Sequence, residues 1–378
     1  GQNLNSAKIK FRNSYSKNMK AIIFAGGVGT RLWPLSRKKS PKQFEKIIGN
    51  KSTLQLAAER LQPDFNWSDI YVSTGETYIE IVQSQLPLLP PNHVIGEPQM
   101  RDVGPAVGLI TSILVKETPL EPMVILWSDH LVRKEVLFRK ILRVSGDLIK
   151  QNPDKIIFVS QKPRFASENL GWIEYGKLVE VKENIPFHTF VDFQYRPNSK
   201  TAIDYYNSGH HAWNLGYFVT TPQFLWSQYK QFAPNLYSGL VRIQEAWKTG
   251  RFHEELNSVY PQLEKIAFDN AILEKLAPSS ALVVSENIDW SDIGAWEALK
   301  EALESAEDKN VTQGKVLLSE TFDSLVYNYT DQMVVTIDLD GYLVVNTPDV
   351  VLVCRKNSVP KIKKLVESMN GTENEKLT

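Results

Sequence analysis

The chain has 378 residues, 42% of them apolar, which is enough for about two domains, each with its own core. Lys and Arg together number 43, as do Asp and Glu, so there is no global basic field to hold nucleic acid and no acidic tail; any anion site must be local. One cysteine, Cys354, excludes a disulfide framework and a cysteine metal cluster, and no apolar run approaches the roughly 18 residues of a membrane span. These features fit a protein of the reducing cytoplasm, and Cys354 itself reads as a buried strand residue.

Residues 1–18, "GQNLNSAKIKFRNSYSKN", are polar, free of Asp and Glu, and lack the apolar stretch of a signal peptide. They read as an extension ahead of Met19 that plays no part in the fold. "KAIIFA" (20–25) is a short apolar run stopped by glycine and predicts a buried strand. "STLQLAAERL" (52–61) predicts a helix, with Ser52 and Gln55 placed for a capping box. "DIYVS" (69–73) predicts a strand. "PAVGLITSILVKE" (105–117) predicts a helix opened by Pro105, and "MVILWSDH" (123–130) a strand.

Alternation of this kind continues to about residue 300. It favours an α/β fold: a Rossmann-like, mostly parallel sheet with helices on both faces, in which ligands sit at the carboxyl ends of the strands. Short β-rich runs then begin near Val316, Leu325, Val334, Leu343 and Val351, spaced 9, 9, 9 and 8 residues, which suggests a small coiled β unit. "SVPKIKKLVESMN" (358–370) closes it as a helix, and "GTENEKLT" reads as a polar tail. The expected division is an extension at 1–18, a larger domain at 19–305 and a β-rich, β-helix-like domain at 306–378. The smaller domain is expected to pack on the larger one or to join two copies as a homodimer.

The first strand runs into "GGVGTRL". Glycines between a strand and a helix let backbone N–H groups approach phosphate oxygens. Two common phosphate loops do not fit. No G-x-x-x-x-G-K-[ST] string follows Gly26 or Gly27, and the third glycine of the dinucleotide fingerprint falls at Leu32. Arg31 and Lys42 add a fork-shaped and a point-like cation to this loop. Arg37, Lys38 and Lys39 read as a generic basic edge, and the six histidines show no metal-binding spacing; His210 and His211, if in a strand, point to opposite faces.

The whole string "FAGGVGTRLWPLSRKKSPKQF" resembles the signature of the sugar-1-phosphate nucleotidyltransferases, most of all the mannose-1-phosphate guanylyltransferases, whose pattern is G-G-x-G-T-R-L-x-P-L-S followed by P-K-Q-F. "GEPQMRDVGPA" (96–106), "LWSDH" (126–130), "NLGWIEYG" (169–176), "GHHAWNLGYF" (209–218) and "DWSDIGAW" (289–296) are similar to further family segments, so the likeness runs from about residue 19 to 365. It implies the reaction GTP plus mannose 1-phosphate to GDP-mannose plus pyrophosphate, assisted by Mg²⁺. It also implies Arg31, Lys42 and Asp129 as catalytic residues, and Asp129 and Asp292 as metal ligands. Nucleotide binding would fall to Ala25, Gly26, Gly27, Gly29, Thr30, Arg31, Glu97, Arg101, Asp102 and Ser128, and sugar-phosphate binding to Gly171, Glu174, Arg196 and Asn214.

The chemistry suits such residues. A phosphate monoester is mostly a dianion at neutral pH and needs no base to attack, so the task is to hold anions together with cations and positioned donors. The chain departs from the family in two places. "FQYRP" (193–197) stands where relatives have F-V-E-K-P, so Tyr195 replaces a carboxylate and Arg196 a lysine. Asp102-Val103-Gly104 replaces N-T-A, and Asp102 has two open readings: acceptor for the guanine N–H donors, or cap of the helix at Pro105. Asn214 likewise reads as a sugar contact or as a structural tie between loops. Two further functions stay open: the same reaction with another hexose 1-phosphate or with UTP or dTTP, and a catalytically lapsed regulatory relative that binds nucleotide sugars.

Overall fold

In the computed structural model, residues 19–27 and 29–378 are described; the extension at 1–18 lies outside them. The expected first strand is β1 (Lys20–Ala25), whose interior residues Ala21, Ile22 and Ile23 are fully buried. The helix α1 (Thr53–Glu59) begins with the expected capping box: the Ser52 hydroxyl accepts from the Gln55 N–H, and the Gln55 side chain accepts from the Ser52 N–H. Such a cap contributes about 1 kcal/mol.

Next come β2 (Ile70–Gly75), β3 (Val94–Glu97), helix α2 (Val103–Glu117), β4 (Met123–Trp127), β5 (His130–Val132), helix α3 (Glu135–Gln151) and β6 (Ile156–Gln161). The long hairpin β7 (Gly171–Lys182) and β8 (Ile185–Tyr195) leads through helix α4 (Ser199–Ser208) into β9 (His211–Thr220). β10 (Ala281–Glu286), β11 (Trp290–Asp292) and helix α5 (Trp296–Leu303) complete the larger part. Two expectations shift. The 123–130 strand stops at Trp127, because a turn at Ser128–Asp129 separates it from β5. The 105–117 helix starts at Val103, because Asp102 caps it.

The main sheet has the order β3-β2-β1-β4-β9-β6-β10-β8-β7, with β9 also paired to β7. Seven of its nine strands run one way; β8 and β9 oppose them. One face is covered by α1 and α3, the other by α2 and the helices between residues 222 and 271, so each face has its own apolar core. No helix among the described residues is long and apolar enough to cross a membrane.

The β-rich end holds β12 (Val311–Gln313), β13 (Val316–Ser319), β14 (Leu325–Asn328), β15 (Val334–Ile337), β16 (Tyr342–Asn346) and β17 (Val351–Arg355), then helix α6 (Pro360–Ser368). Val316 lies beside Val334 and Leu325 beside Leu343 in parallel register, so the nine-residue spacing is half of an 18-residue coil with two sides. Cys354 is on β17 but only half-buried.

This unit shares a core with the glycine loop's support. Leu32, Trp33 and Leu35 pack with Trp296 and Leu299 of α5 and with Leu325, Tyr327 and Leu343. Trp296 Nε1 donates to the Trp33 carbonyl at 2.9 Å. Lys300 is 2% exposed, with its ammonium 2.6 Å from both Glu304 and Asp323. Arg37 forks onto Asp349 and Lys38 reaches Asn370, so part of the basic edge ties this end down. The polar tail is docked as well: Trp33 Nε1 donates to the Leu377 carbonyl at 2.8 Å.

Glu97, at the carboxyl end of β3, is 4% exposed and accepts a hydrogen bond from the Tyr260 hydroxyl. Burial raises its pKa to about 7, and the Tyr260 bond only partly opposes this. Between its unfolded value of 4.5 and about 7 the folded chain binds the extra proton, so this group makes stability fall as pH rises through that window. Glu97→Gln keeps an acceptor for Tyr260 without the charge. Urea unfolding at pH 4.5 and at pH 7.5 should show the variant gaining on the natural chain by up to about 3 kcal/mol; an unchanged difference would mean that Glu97 titrates normally.

Candidate active site

The glycine string leaves β1 at the carboxyl edge of the sheet. Gly27 has φ +85°, a conformation that disfavours any side chain. Gln43, 1% exposed, lies in the single turn that begins at Lys42 and donates from Nε2 to the carbonyls of Ala25 and Gly27, both at 3.1 Å. The Ser36 hydroxyl donates to the Gly29 carbonyl at 2.7 Å. The string is thus held from behind by the "PKQF" segment, which leaves its front open. A Cβ on Gly29 would lie 2.8 Å from Lys42 Cδ, so the lysine stem runs directly across this glycine.

That stem delivers the Lys42 ammonium to Asp129, with Nζ 2.8 Å from Oδ2. Asp129 sits in the turn after β4, where the Ser128 N–H donates to the Phe24 carbonyl of β1 at 3.1 Å. Asp292 arrives by a longer route. β11 pairs antiparallel with β5, placing Asp292 opposite His130, and the Ile293 N–H donates to the Asp129 carbonyl at 3.4 Å. This two-stranded ribbon brings two carboxylates together from positions far apart in sequence. Gly294 marks the meeting point: a Cβ there would be 2.9 Å from Asp292 Oδ1, 2.9 Å from Lys42 Nζ and 3.2 Å from Arg31 Nη2. Arg31, Lys42, Asp129 and Asp292 therefore converge in one small volume beside the glycine loop.

Burial alone would raise the Asp129 carboxyl, but the Lys42 ammonium, and then His130, outweigh it and hold it at about 2. Asp129 is an anion throughout the physiological range. Its surroundings are braced: the Tyr217 hydroxyl lies 2.9 Å from His130 Nδ1, and buried Arg60 donates to the His130 carbonyl at 2.6 Å. Motif reading missed Gln43, His130, Tyr217 and Gly294. All four stand in strings that carry the family resemblance, but what each of them touches is created only by the folded sheet.

The β3–α2 loop, which carries the expected base-binding residues, is fastened to the segment at 260–266. Glu97 bonds Tyr260, Arg101 Nε donates to the Leu263 carbonyl at 2.9 Å, and the Gly104 N–H donates to the Ile266 carbonyl at 2.9 Å. Asp102, at φ 69°, caps α2 by accepting from the Val103 N–H at 2.7 Å, so the capping role is the one this geometry contains. The departure from N-T-A also has a packing reason at its last position. A Cβ on Gly104 would lie 2.5 Å from the Ile266 carbonyl oxygen.

A cavity of about 680 Å³ opens where β7, β8 and β9 meet the helical segment near 269–276. Gly171, Asn214, Tyr195, Asp269 and Asn270 are among the residues that line it, and Arg196 stands next to the rim with its guanidinium over the Tyr195 ring. Asn214 also accepts from the Gly216 N–H at 2.9 Å. Gly216 in turn accepts from Trp127 Nε1 at 3.1 Å, which links this strand to the Asp129 turn.

Glu174 is placed elsewhere. Three residues from Gly171 on a strand, it projects from the opposite face, toward His210 and His211. The histidines also depart from expectation. His210 precedes β9 instead of lying within it, so the two rings come together on one side, with centroids 4.8 Å apart.

Known proteins resemble this chain along most of its length. The nucleotidyl transferase family pattern matches residues 20–309, and that of the MannoseP isomerase/GMP-like beta-helix domain matches 314–369. A mannose-1-phosphate guanylyltransferase from Salmonella montevideo is 32% identical over 92% of this chain and 73% of its own length. Mannose-1-phosphate guanylyltransferase 2 from Escherichia coli O157:H7 is 29% identical over the same shares. The solved structure of a mannose-1-phosphate geranyltransferase from Thermus thermophilus superposes with a TM-score of 0.82 at 25% identity, covering 94% of this chain and all of that one. With its family pattern spanning most of the chain and the loop, cations and carboxylates in one place, the protein belongs to the nucleotidyl transferase family.

Proposed function

We propose that the chain makes GDP-mannose and pyrophosphate from GTP and mannose 1-phosphate. The observation that carries this reading is the convergence of Arg31, Lys42, Asp129 and Asp292 on Gly294 beside the glycine loop. An oxygen of the sugar phosphate attacks the α-phosphorus of GTP, a new P–O bond forms, and the bond from that phosphorus to the β-phosphate oxygen breaks. The attacking oxygen is already anionic, so no proton has to be removed.

The backbone N–H groups of Gly26, Gly27, Gly29 and Thr30 cradle the triphosphate. Arg31 clamps its oxygens as a fork. Lys42, poised at the end of a stem fixed across Gly29, moves its charge from Asp129 to the α-phosphate region. Asp129 and Asp292 suit Mg²⁺: two oxygen donors, one of them ionised across the physiological range, next to where phosphate oxygens would complete the shell. Bound there, Mg²⁺ would neutralise charge between the two reacting anions. On the sugar side, Gly171, Asn214 and Tyr195 line the cavity, and Arg196, over the Tyr195 ring, is the cation beside it.

Guanine as the base is supported by the relatives' names and by the second oxygen of Asp102, since the first caps α2. Residues 19–305 are read as the catalytic domain and 306–378 as the β-rich one. Leu317, Val335 and Ile337, each at least half exposed on the β13–β15 face, support a homodimer built on it. Polyphosphate substrates do not cross bilayers unaided, which supports a cytoplasmic location.

Asp129→Asn should lower kcat by a factor on the order of 10² or more while circular dichroism and Tm stay close to those of the natural chain. Turnover within a few-fold of the natural rate would remove Asp129 from the metal role. Rates for GTP, UTP, dTTP and ATP paired with mannose 1-phosphate and glucose 1-phosphate should be highest for GTP with mannose 1-phosphate. Equal rates with GTP and UTP would defeat guanine selection, and absence of pyrophosphate release with every pair would make the chain a lapsed relative.

A further inference from the structure

The pairing of β7 with β9 that sets Gly171 beside Asn214 also sets Glu174 beside His211. One ligand atom from each of Glu174, His210 and His211 lies within 4.8 Å of the other two, and Glu174 Oε1 is 3.8 Å from His210 Nε2. The hydrogen bonds around the two imidazoles determine which nitrogen is free. The Ser208 hydroxyl lies 2.7 Å from the Tyr205 carbonyl, which can only accept, and 2.6 Å from His211 Nδ1; with the hydroxyl proton assigned to the carbonyl, the hydroxyl accepts from a proton on His211 Nδ1. His210 Nδ1 lies 3.0 Å from the Ser208 carbonyl, which can only accept, so His210 also carries its proton there. Both rings therefore keep the Nε2 lone pair for a ligand. A hydrogen bond from Nδ1–H to a carbonyl or hydroxyl is the arrangement that orients histidines on metals. Tyr205 stacks on His211 with centroids 4.2 Å apart and fixes that ring further.

We propose that Glu174, His210 and His211 bind a divalent transition-metal ion of the Zn²⁺ class, at a place separate from Asp129 and Asp292. Two imidazoles with one carboxylate suit Zn²⁺ or Co²⁺ and disfavour Mg²⁺, which prefers oxygen donors. Tetrahedral Zn²⁺ with ligand bonds of about 2.0–2.2 Å needs ligand atoms roughly 3.3 Å apart. The side chains of His210 and Glu174 are 51% and 32% exposed and can rotate to close the difference, while buried His211 stays as the anchor. Exposure on that side leaves room for a water as the fourth ligand. The ion would clamp β7, the start of β9 and the end of α4, and so stiffen the two strands that carry Gly171 and Asn214.

Titration of the full chain, stripped of metal and free of any histidine tag, with Co²⁺ reads this directly. One equivalent should produce visible ligand-field bands that Zn²⁺ displaces and Mg²⁺ does not. His210→Ala and Glu174→Gln, each confirmed folded by circular dichroism, should weaken Co²⁺ binding about 10-fold or more, and Asp129→Asn should leave it unchanged. Zn²⁺ should raise the Tm of the natural chain and not of the two site variants. Absence of bands in the natural chain would overturn the proposal. So would unchanged affinity in His210→Ala, or bands lost only in Asp129→Asn.

Discussion

The candidate active site depends on a balance of charge at one glycine. Gly294 has no side chain, and Arg31, Lys42 and Asp292 fill the space that a Cβ would need. Lys42 ties this group to Asp129 and keeps that carboxylate ionised against the cost of its partial burial. In the proposed reaction, a substrate with several negative phosphates would meet these two cations, and the two carboxylates match a hard divalent ion. Much of the surrounding structure serves to hold these four side chains. The β5–β11 ribbon fixes the spacing of the carboxylates, Gln43 holds the back of the loop, and Gly29 gives the lysine stem its path.

What could be read in the sequence was local. The first strand, the Ser52–Gln55 capping box and the regular β spacing are set by neighbours a few residues apart, and each appears where expected. The convergence of Asp129 and Asp292 could be named only through resemblance, because it rests on pairing His130 with Asp292 across about 160 residues. Strand parity explains the position of Glu174. A motif match says that it lies near Gly171, but three steps along a strand reverse the face. Asp102 caps α2 with one oxygen, a role that composition alone left level with base recognition, and its second oxygen has no part in that cap. The docking of Leu377 on Trp33 had no local signal, since "GTENEKLT" has the composition of an unattached tail.

The β-rich end is built into the support of the glycine loop. Its core is continuous with Leu32, Trp33 and Leu35, and Trp296 bonds the Trp33 carbonyl from the same side. The glycine string is thus held between Gln43, on the "PKQF" turn, and an aromatic platform shared with the coil. Positioning of this kind supplies phosphoryl-type catalysis with preformed donors, which do not have to reorganise as charge moves. The residues proposed to set sugar and base choice sit on different supports, the β7–β9 strands and the capped start of α2, apart from the cluster around Gly294.

The central claim is a single in-line displacement in which the sugar phosphate itself attacks and no protein side chain becomes nucleotidylated. Turnover of a stereochemically pure α-thio GTP with mannose 1-phosphate, followed by phosphorus NMR of the thio GDP-mannose, tests it most directly. The account predicts inversion at the α-phosphorus. Retention would require two displacements through a covalent enzyme intermediate and would contradict it.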